Sequence, residues 1–279
     1  MTLKIRNRIL KFFMYVSLAS IAFSVLALIF TLAKGYLIPP PTLRIPGYLN
    51  SELLRNLSFT KQNLVPTLIS FFLLAVYVPV VLFFIFRYFE NTQSSEIIFF
   101  SAFLLGILCE VARFYTICFG VWQTFTNLLI FLGNIVLFGR ILAPLSFACA
   151  SIFSETEQRQ DIERNYLIMI VAAFLFALII PLNTGRISSA GLVTEGFMTL
   201  LNGARFILII LAVFSFYVRS VRHANKDFIP IGLWIFALYA GYVLLICADN
   251  YIFMILGSGL LYTGTYFYLK DLHKMYMWL

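Results

Sequence analysis

Long apolar runs separated by short polar breaks account for most of this 279-residue chain. The runs are roughly 19 to 28 residues long, and about 20 apolar residues are needed for a helix to cross the hydrocarbon core of a bilayer. Because lipid offers no hydrogen-bond partners to the backbone, only helices and closed barrels span a membrane, and runs of this length favour helices. The pattern predicts an all-α, polytopic transmembrane helical bundle of about eight spans. The predicted spans are residues 9–33, 64–87, 97–119, 124–151, 166–183, 197–218, 229–248 and 251–269.

Two boundaries in this prediction rest on single breaks in the apolar pattern. Residues 229–269 would measure ~60 Å as one helix at 1.5 Å per residue, about twice the thickness of the hydrocarbon core. Asp249 and Asn250 form the only polar break in that stretch, so we expect a turn there. The segment 166–183 contains Pro181 near its end and is just long enough to cross the membrane.

The spans divide the chain into three regions. Residues 1–33 form a cytoplasmic N-terminus and a first span, which we expect to remain as an anchor because its apolar stretch exceeds the 7–15 residues typical of a cleavable signal peptide. Residues 34–63 form an outer, Pro-rich segment with a short interfacial helix after Asn50. Residues 64–279 form a seven-helix transmembrane bundle with a cytoplasmic C-terminus.

The distribution of lysine and arginine predicts the orientation, since positive residues accumulate in cytoplasmic loops. With eight spans and the N-terminus inside, twelve positive residues fall on the inner side and five on the outer side. The inner residues are Lys4, Arg6, Arg8, Lys11, Arg87, Arg159, Arg164, Arg219, Arg222, Lys226, Lys270 and Lys274. The outer residues are Lys34, Arg44, Arg55, Lys61 and Arg186, and the remaining Arg113, Arg140 and Arg205 lie within spans. Both termini are therefore expected in the cytoplasm.

The composition agrees with a membrane protein and excludes other classes. The chain is 62% hydrophobic and only 11% charged, whereas soluble domains contain about 25% charged residues. Its net charge of +8 lies in short loops between spans, which argues against binding of nucleic acid. The compact chain with short loops favours an integral protein of a bacterial cytoplasmic (inner) membrane.

Charged and amide side chains inside the spans are the candidates for a functional site, because such residues are costly in lipid. Glu110 and Arg113 stand three residues apart on one helical face, ~9 to ~14 Å from the outer end of their span. Arg205 reaches a similar depth in its own span, Asn134 belongs to a polar stripe facing the same half, and Asp249 lies at an outer turn. We therefore predict that Glu110, Arg113, Asn134, Arg205 and Asp249 form a ligand-binding group.

This group has two interpretations. Each buried charge costs about 2.5–3.5 kcal/mol near the centre of a span, so Glu110 could pair with Arg113 or Arg205 in a closed structural network. Alternatively, the residues line a polar cavity open to the outer side, whose surplus positive charge binds an anionic group. Arg140 lies ~24 Å from the outer end of its span at 1.5 Å per residue, which places it in the inner leaflet near lipid phosphates.

No enzyme motif, metal-binding cluster or cofactor motif is apparent. The two histidines, His223 and His273, lie apart from any acidic or cysteine cluster with ligand spacing. No phosphate-binding loop, nucleophile elbow or zinc protease motif is present. We expect a protein that is not an enzyme and has no cofactor.

The arrangement of one anchor, a short outer segment and seven spans resembles the seven-helix sensory modules of bacterial signalling proteins. The resemblance implies a receptor-like fold, and the outer-half cluster of Glu110, Arg113 and Arg205 favours binding of an anionic or amphiphilic ligand. Such a protein would contact membrane lipids and act through a protein partner at loops 154–165 and 219–228. The alternatives are a transporter or flippase-like carrier with Arg140 on its path, a scaffold subunit of a larger membrane complex and, last, a lipid-modifying enzyme.

Overall fold

The structure, a computed structural model, describes residues 3–34, 64–90, 92, 94–124, 126–153, 162–187, 191, 193–222 and 227–277. The described residues form ten helices and two short strands. The helices are α1 (Leu3–Lys34), α2 (Leu64–Phe89), α3 (Ser95–Cys109), α4 (Ala112–Cys118), α5 (Val121–Thr124), α6 (Thr126–Phe153), α7 (Ile162–Ile179), α8 (Met198–Arg222), α9 (Phe228–Ile246) and α10 (Tyr251–Met277). The strands are β1 (Leu182–Ile187) and β2 (Val193–Glu195).

Eight helical segments in the described part of the chain are long and apolar enough to cross a membrane. Helices α3 and α4 together form one of them, Ser95–Cys118. The predicted all-α, polytopic bundle with eight spans is therefore confirmed. The predicted Pro-rich segment and its interfacial helix lie outside the described residues, apart from Lys34 at the end of α1.

The span formed by α3 and α4 lies in the interior of the bundle. In the most apolar 18-residue stretch of this span, 89% of the residues are buried. Helix α3 contacts α1, α2, α6 and α7. Its contact with α6 depends on two glycines, Gly106 and Gly139. A Cβ atom added at Gly106 would lie 2.7 Å from the carbonyl oxygen of Gly139, so the two backbones touch directly. Small residues permit this close approach between membrane helices.

The last two helices are joined by the predicted turn. Helix α9 ends at Ile246 and α10 begins at Tyr251. The side-chain oxygen of Asn250 accepts a hydrogen bond from the Phe253 amide at 2.9 Å, which satisfies one of the free donors at the start of α10. The polar break at Asp249 and Asn250 therefore ends one helix and starts the next.

One predicted boundary is wrong, because residues 182 and 183 belong to a β-hairpin and not to the fifth span. Helix α7 ends at Ile179, and β1 pairs antiparallel with β2, with Leu182 opposite Glu195. Pro181 cannot donate a backbone hydrogen bond and disfavours the helical conformation of the residue before it. Its own carbonyl accepts the Gly196 amide at 2.8 Å, which closes the hairpin.

The hairpin marks one end of the bundle, which we call the hairpin face. It packs against α6 where a Cβ atom at Gly133 would lie 2.7 Å from Cδ1 of Leu182. The opposite end, where α1 begins and α2 ends, is the N-terminal face. There the buried Arg6 guanidinium donates to the carbonyls of Phe89 at 2.7 Å and Glu90 at 3.0 Å. Because these carbonyls end α2, the contact anchors α1 to the bundle.

Candidate functional site

The interior span changes its helical geometry at the charged residues. Helix α3 ends at Cys109 and α4 begins at Ala112. In between, the Glu110 amide donates to the Ile107 carbonyl at 3.0 Å and the Arg113 amide donates to the Glu110 carbonyl at 3.1 Å. These bonds join residues three apart, as in a 3₁₀ turn, where side chains three residues apart align. The turn therefore brings the side chains of Glu110 and Arg113 to one side of the span.

Three donors from three different helices bind the Glu110 carboxylate, which is fully buried. Its Oε2 atom accepts from Nη1 of Arg113 at 2.9 Å. Its Oε1 atom accepts from Nε of Arg140 on α6 at 2.9 Å and from the hydroxyl of Tyr242 on α9 at 3.2 Å. The carboxylate thus links α4, α6 and α9 in the interior of the bundle.

Arg113 is held on its other sides as well. Nη2 donates to the carbonyl of Ile246 at 2.9 Å, at the end of α9, where helical carbonyls have no partner within the helix. The guanidinium carbon also lies 4.7 Å from the centroid of the Phe71 ring, a cation–π contact with α2. The Arg113 side chain therefore connects α4 to α9 and α2.

A second carboxylate, from the hairpin, extends the group towards α8. Glu195 accepts from Nη1 of Arg140 at 3.3 Å and from Nη2 of Arg205 at 2.7 Å. Arg205 also donates from Nη1 to Oδ1 of the exposed Asn202 at 3.0 Å. Arg113, Glu110, Arg140, Glu195 and Arg205 therefore form a chain of alternating charges, which we call the ionic network.

The ionic network contains one more cation than anion. Three arginines face two glutamates, and two guanidinium nitrogens, Nη2 of Arg140 and Nε of Arg205, are buried without a hydrogen-bond partner in the described structure. Buried polar groups are rarely left in this state, because an unsatisfied donor loses its hydration without compensation. Both nitrogens belong to the residues that hold Glu195. The surplus of donors and positive charge is therefore concentrated at the hairpin end of the network.

The cavity beside the network is small. It measures about 10 Å³ and is lined by Arg113, Thr116, Gly133, Val193 and Glu195 together with neighbouring apolar residues. Such a volume holds about one water molecule. In this conformation the residues therefore form the closed, paired arrangement, the first of the two interpretations of the sequence, and the space between them does not admit a larger ligand.

The structure brings three of the five predicted site residues into one network. Glu110 and Arg113 pair directly, whereas Arg205 is joined to them through Glu195 and Arg140. Asn134 is half-buried on α6, and its side chain makes no hydrogen bond within the described structure. Asp249 lies in the turn after α9, three residues beyond the carbonyl that accepts Arg113.

The predicted location of Arg140 in the inner leaflet is wrong. Its guanidinium bridges Glu110 and Glu195 and so belongs to the same level as the predicted site. The depth estimate counted residues along one helix. The packing of Gly106 against Gly139 sets the true level, because it places α3 and α6 side by side at these positions.

Glu195 and Tyr242 were not predicted as site residues. Three arginines within spans and a single glutamate should have indicated a missing acid, and Glu195, which flanks the sixth span, was available. Tyr242 carries no such signal, because it is one of 15 tyrosines and lies in an apolar run.

A second buried ion pair lies at the N-terminal face. Glu96 of α3 is 3.6 Å from Nη1 of Arg219 of α8, and it accepts a hydrogen bond from the hydroxyl of Tyr276. Nη2 of Arg219 donates to the carbonyl of Ser151 on α6 at 2.9 Å. Arg219 was predicted as an inner loop residue but is buried within the bundle. The pair ties four helices together at the end opposite to the ionic network.

No protein-family model, curated protein or solved structure matches this chain. Its class therefore follows from the fold: eight apolar helices that suit an integral membrane protein, packed around an interior span with a buried ionic network. It is a multi-pass helical membrane protein.

Proposed function

We propose that this protein is a non-enzymatic, receptor-like membrane protein that binds an anionic group between Arg140 and Arg205. One observation carries the proposal: these two arginines already hold a carboxylate, that of Glu195, and each keeps a buried N–H group without a partner. Arginine presents its donors in a planar fork that suits carboxylates and phosphates. A ligand with two negative charges that takes the place of Glu195 would engage these donors and balance the surplus charge of the network.

Binding requires that Glu195 give up its position, because the adjacent cavity admits only about one water molecule. Glu195 ends β2, so its displacement would break the two ion pairs that join the hairpin to Arg140 of α6 and Arg205 of α8. A ligand that binds the displaced state better than the closed state shifts the population towards it. The Glu195 carboxylate then competes with the ligand for Arg140 and Arg205, and the displacement of Glu195 is the conformational signal.

The signal would pass to a protein partner at loops 154–165 and 219–228, on the proposed cytoplasmic side. The structure describes these loops only at residues 162–165, 219–222 and 227–228. Helix α8 offers the route, since it carries Arg205 near one end and Arg219 near the other. A change at Glu195 would therefore act on the helix that leads into loop 219–228, and whose Arg219 contacts Ser151 near the end of α6, just before loop 154–165.

The test is oxyanion binding to the purified protein in lipid nanodiscs. Inorganic phosphate and succinate are titrated at constant ionic strength, and thermal unfolding is followed, because a ligand specific for the folded state raises the melting temperature. We expect a saturable rise for the wild type and at least about a tenfold weaker response for Arg205→Gln. Arg222→Gln, an exposed arginine at the other end of α8, is the matched control and should respond like the wild type.

Arg205→Lys separates binding from folding, since it keeps the charge but loses the planar fork. It should fold and bind with intermediate affinity. Equal responses of the wild type and Arg205→Gln, or no saturable response in the wild type, would show that the network is only structural.

A carrier of an anionic or lipid substrate is the second candidate, and the break between α3 and α4 favours it. Transporters often place interrupted helices at their substrate sites, and a 3₁₀ segment within a helix often marks a hinge. A cysteine introduced at Asn134, with the four native cysteines replaced by alanine, would test this function. Labelling by impermeant reagents from both sides of the membrane supports transport, and labelling from one side only contradicts it.

A further inference from the structure

A groove between α2 and α10 opens towards the surrounding lipid on the side of the N-terminal face. It has a volume of about 410 Å³, and apolar residues such as Val80, Phe84 and Leu269 form most of its walls. This volume lies within the range of about 300–1,000 Å³ found for small-molecule sites. Val80 and Phe84 are more than a third exposed, so the groove is accessible from outside the bundle.

The groove matches one leaflet of a bilayer in length. Its lining on α10 extends from Tyr262 to His273, which is ~16 Å at 1.5 Å per residue. Half of the hydrocarbon core is ~15 Å thick. A chain that enters at the level of the headgroups would therefore end near the middle of the membrane.

At the end of the groove nearer the middle of the membrane, hydroxyl groups already make hydrogen bonds within the protein. The hydroxyl of Tyr77 lies 2.6 Å from Oγ1 of Thr265, and that of Tyr262 donates to the carbonyl of Leu73 at 3.3 Å. Because these groups are paired, they offer an occupant mainly ring faces and methyl groups. This end of the groove suits a hydrocarbon chain.

The other end of the groove carries two polar side chains, Lys270 and His273. Lys270 and His273 stand three residues apart and therefore lie on the same side of α10. The ammonium group of Lys270 lies 6.0 Å from the ring of Tyr266 and makes no ion pair within the described structure. One turn further along, the exposed Lys274 pairs with Asp227 at 3.4 Å, so Lys270 differs from its neighbour in lacking an anion.

His273 supplies a second polar group at the same place. Its ring packs between those of Tyr88 at 5.8 Å and Phe89 at 5.4 Å, which holds its orientation. Its Nδ1 atom is buried and has no hydrogen-bond partner in the described structure. Such an atom requires a partner, and the groove is the space that His273 lines.

We propose that the groove binds a membrane phospholipid with an anionic headgroup, with one acyl chain along α2 and α10 and the phosphate at Lys270 and His273. The apolar length takes the chain, and the two polar residues at the headgroup level take the phosphate oxygens. Lys270 contributes the charge and His273 a hydrogen bond. This site uses none of the residues of the ionic network and stands independently of the proposed function.

The experiment is native mass spectrometry of the protein released from detergent after titration with dioleoyl phosphatidylglycerol or dioleoyl phosphatidylcholine. The two lipids have the same chains and differ in net headgroup charge. We expect one tightly retained phosphatidylglycerol and weaker retention of phosphatidylcholine. The double variant Lys270→Ala, His273→Ala should retain phosphatidylglycerol about tenfold less well, whereas the control Lys274→Ala should behave like the wild type.

A second pair of variants tests the acyl chain. Val80→Trp fills the groove and should abolish retention of phosphatidylglycerol, while Val76→Trp, one turn away at an exposed position outside the groove, should not. Equal retention of the two lipids by the wild type would overturn the proposal. Unchanged retention in both the double variant and Val80→Trp would do the same.

Discussion

Glu110 is the residue on which the ionic network depends, because among the described residues it is the only carboxylate that joins the interior span to the surrounding helices at this level. It accepts from Arg113, Arg140 and Tyr242 at 2.9 to 3.2 Å while fully buried. Desolvation makes a buried ion pair a weak source of net stability, but removing one partner leaves the other charge buried and uncompensated. The role of Glu110 is therefore most visible when it is replaced.

Glu110→Gln keeps the size of the side chain and removes its charge, leaving Arg113 and Arg140 without their shared anion. We expect the free energy of unfolding in detergent to fall by about 3 kcal/mol. Denaturant unfolding followed by circular dichroism measures this loss. Glu163→Gln, at an exposed position in the first turn of α7, is the control and should change stability by less than about 0.5 kcal/mol. Similar values for the two variants would mean that the network contributes nothing to the fold.

At the scale of the elements, close contact between α3 and α6 sets the level at which charged side chains meet. The contact is built on Gly106 and Gly139, whose backbones leave no room for side chains. Arg140 follows Gly139 directly, and Glu110 stands one turn beyond Gly106. The glycine pair thus aligns the arginine with its carboxylate.

Gly106→Ala tests this contact, since its Cβ atom would lie 2.7 Å from the carbonyl oxygen of Gly139. Because backbone atoms cannot give way cheaply, we expect a loss of about 2 kcal/mol in unfolding free energy. Gly203→Ala on α8 is the matched control, since no atom lies within 4 Å of its added Cβ. It should stabilise the protein by about 0.5–1 kcal/mol through helix propensity. Thermal unfolding of both variants gives the comparison, and the same sign of change in both would contradict the packing argument.

The elements differ in how well the sequence predicts them. A run of about 20 apolar residues predicts a span almost by itself, and Asp249 with Asn250 is a sufficient signal for a turn within a long apolar stretch. The hairpin is different, because Pro181 and the polar residues of Leu182–Ile187 indicate only that the helix ends, whereas the pairing of β1 with β2 depends on a contact between separate segments. Contacts between distant elements, such as that of Arg140 with Glu195, depend on how the helices and the hairpin pack. Counting residues along a single helix to estimate depth could not predict them.

For the whole molecule, the buried charges are divided between the two ends of the bundle. The ionic network lies towards the hairpin face, while Arg6, Glu96 and Arg219 lie at the N-terminal face. Two of the positive residues counted as inner loop charges, Arg6 and Arg219, are therefore structural contacts. The remaining bias is still positive at the N-terminal face, so the predicted orientation places this face in the cytoplasm.

The native cysteines allow this orientation to be tested directly. Cys247 is exposed and follows α9 at the hairpin face, whereas Cys118 at the same face is buried. If the N-terminal face is cytoplasmic, a membrane-impermeant maleimide should label Cys247 on intact cells, and Cys247→Ala should abolish the label. In the Cys247→Ala background, Lys274→Cys, exposed at the opposite face, should react only after the cells are permeabilised. Labelling of Lys274→Cys on intact cells, with Cys247 unlabelled in the wild type, would reverse the orientation, and the proposed anion site at Arg140 and Arg205 would then face the cytoplasm.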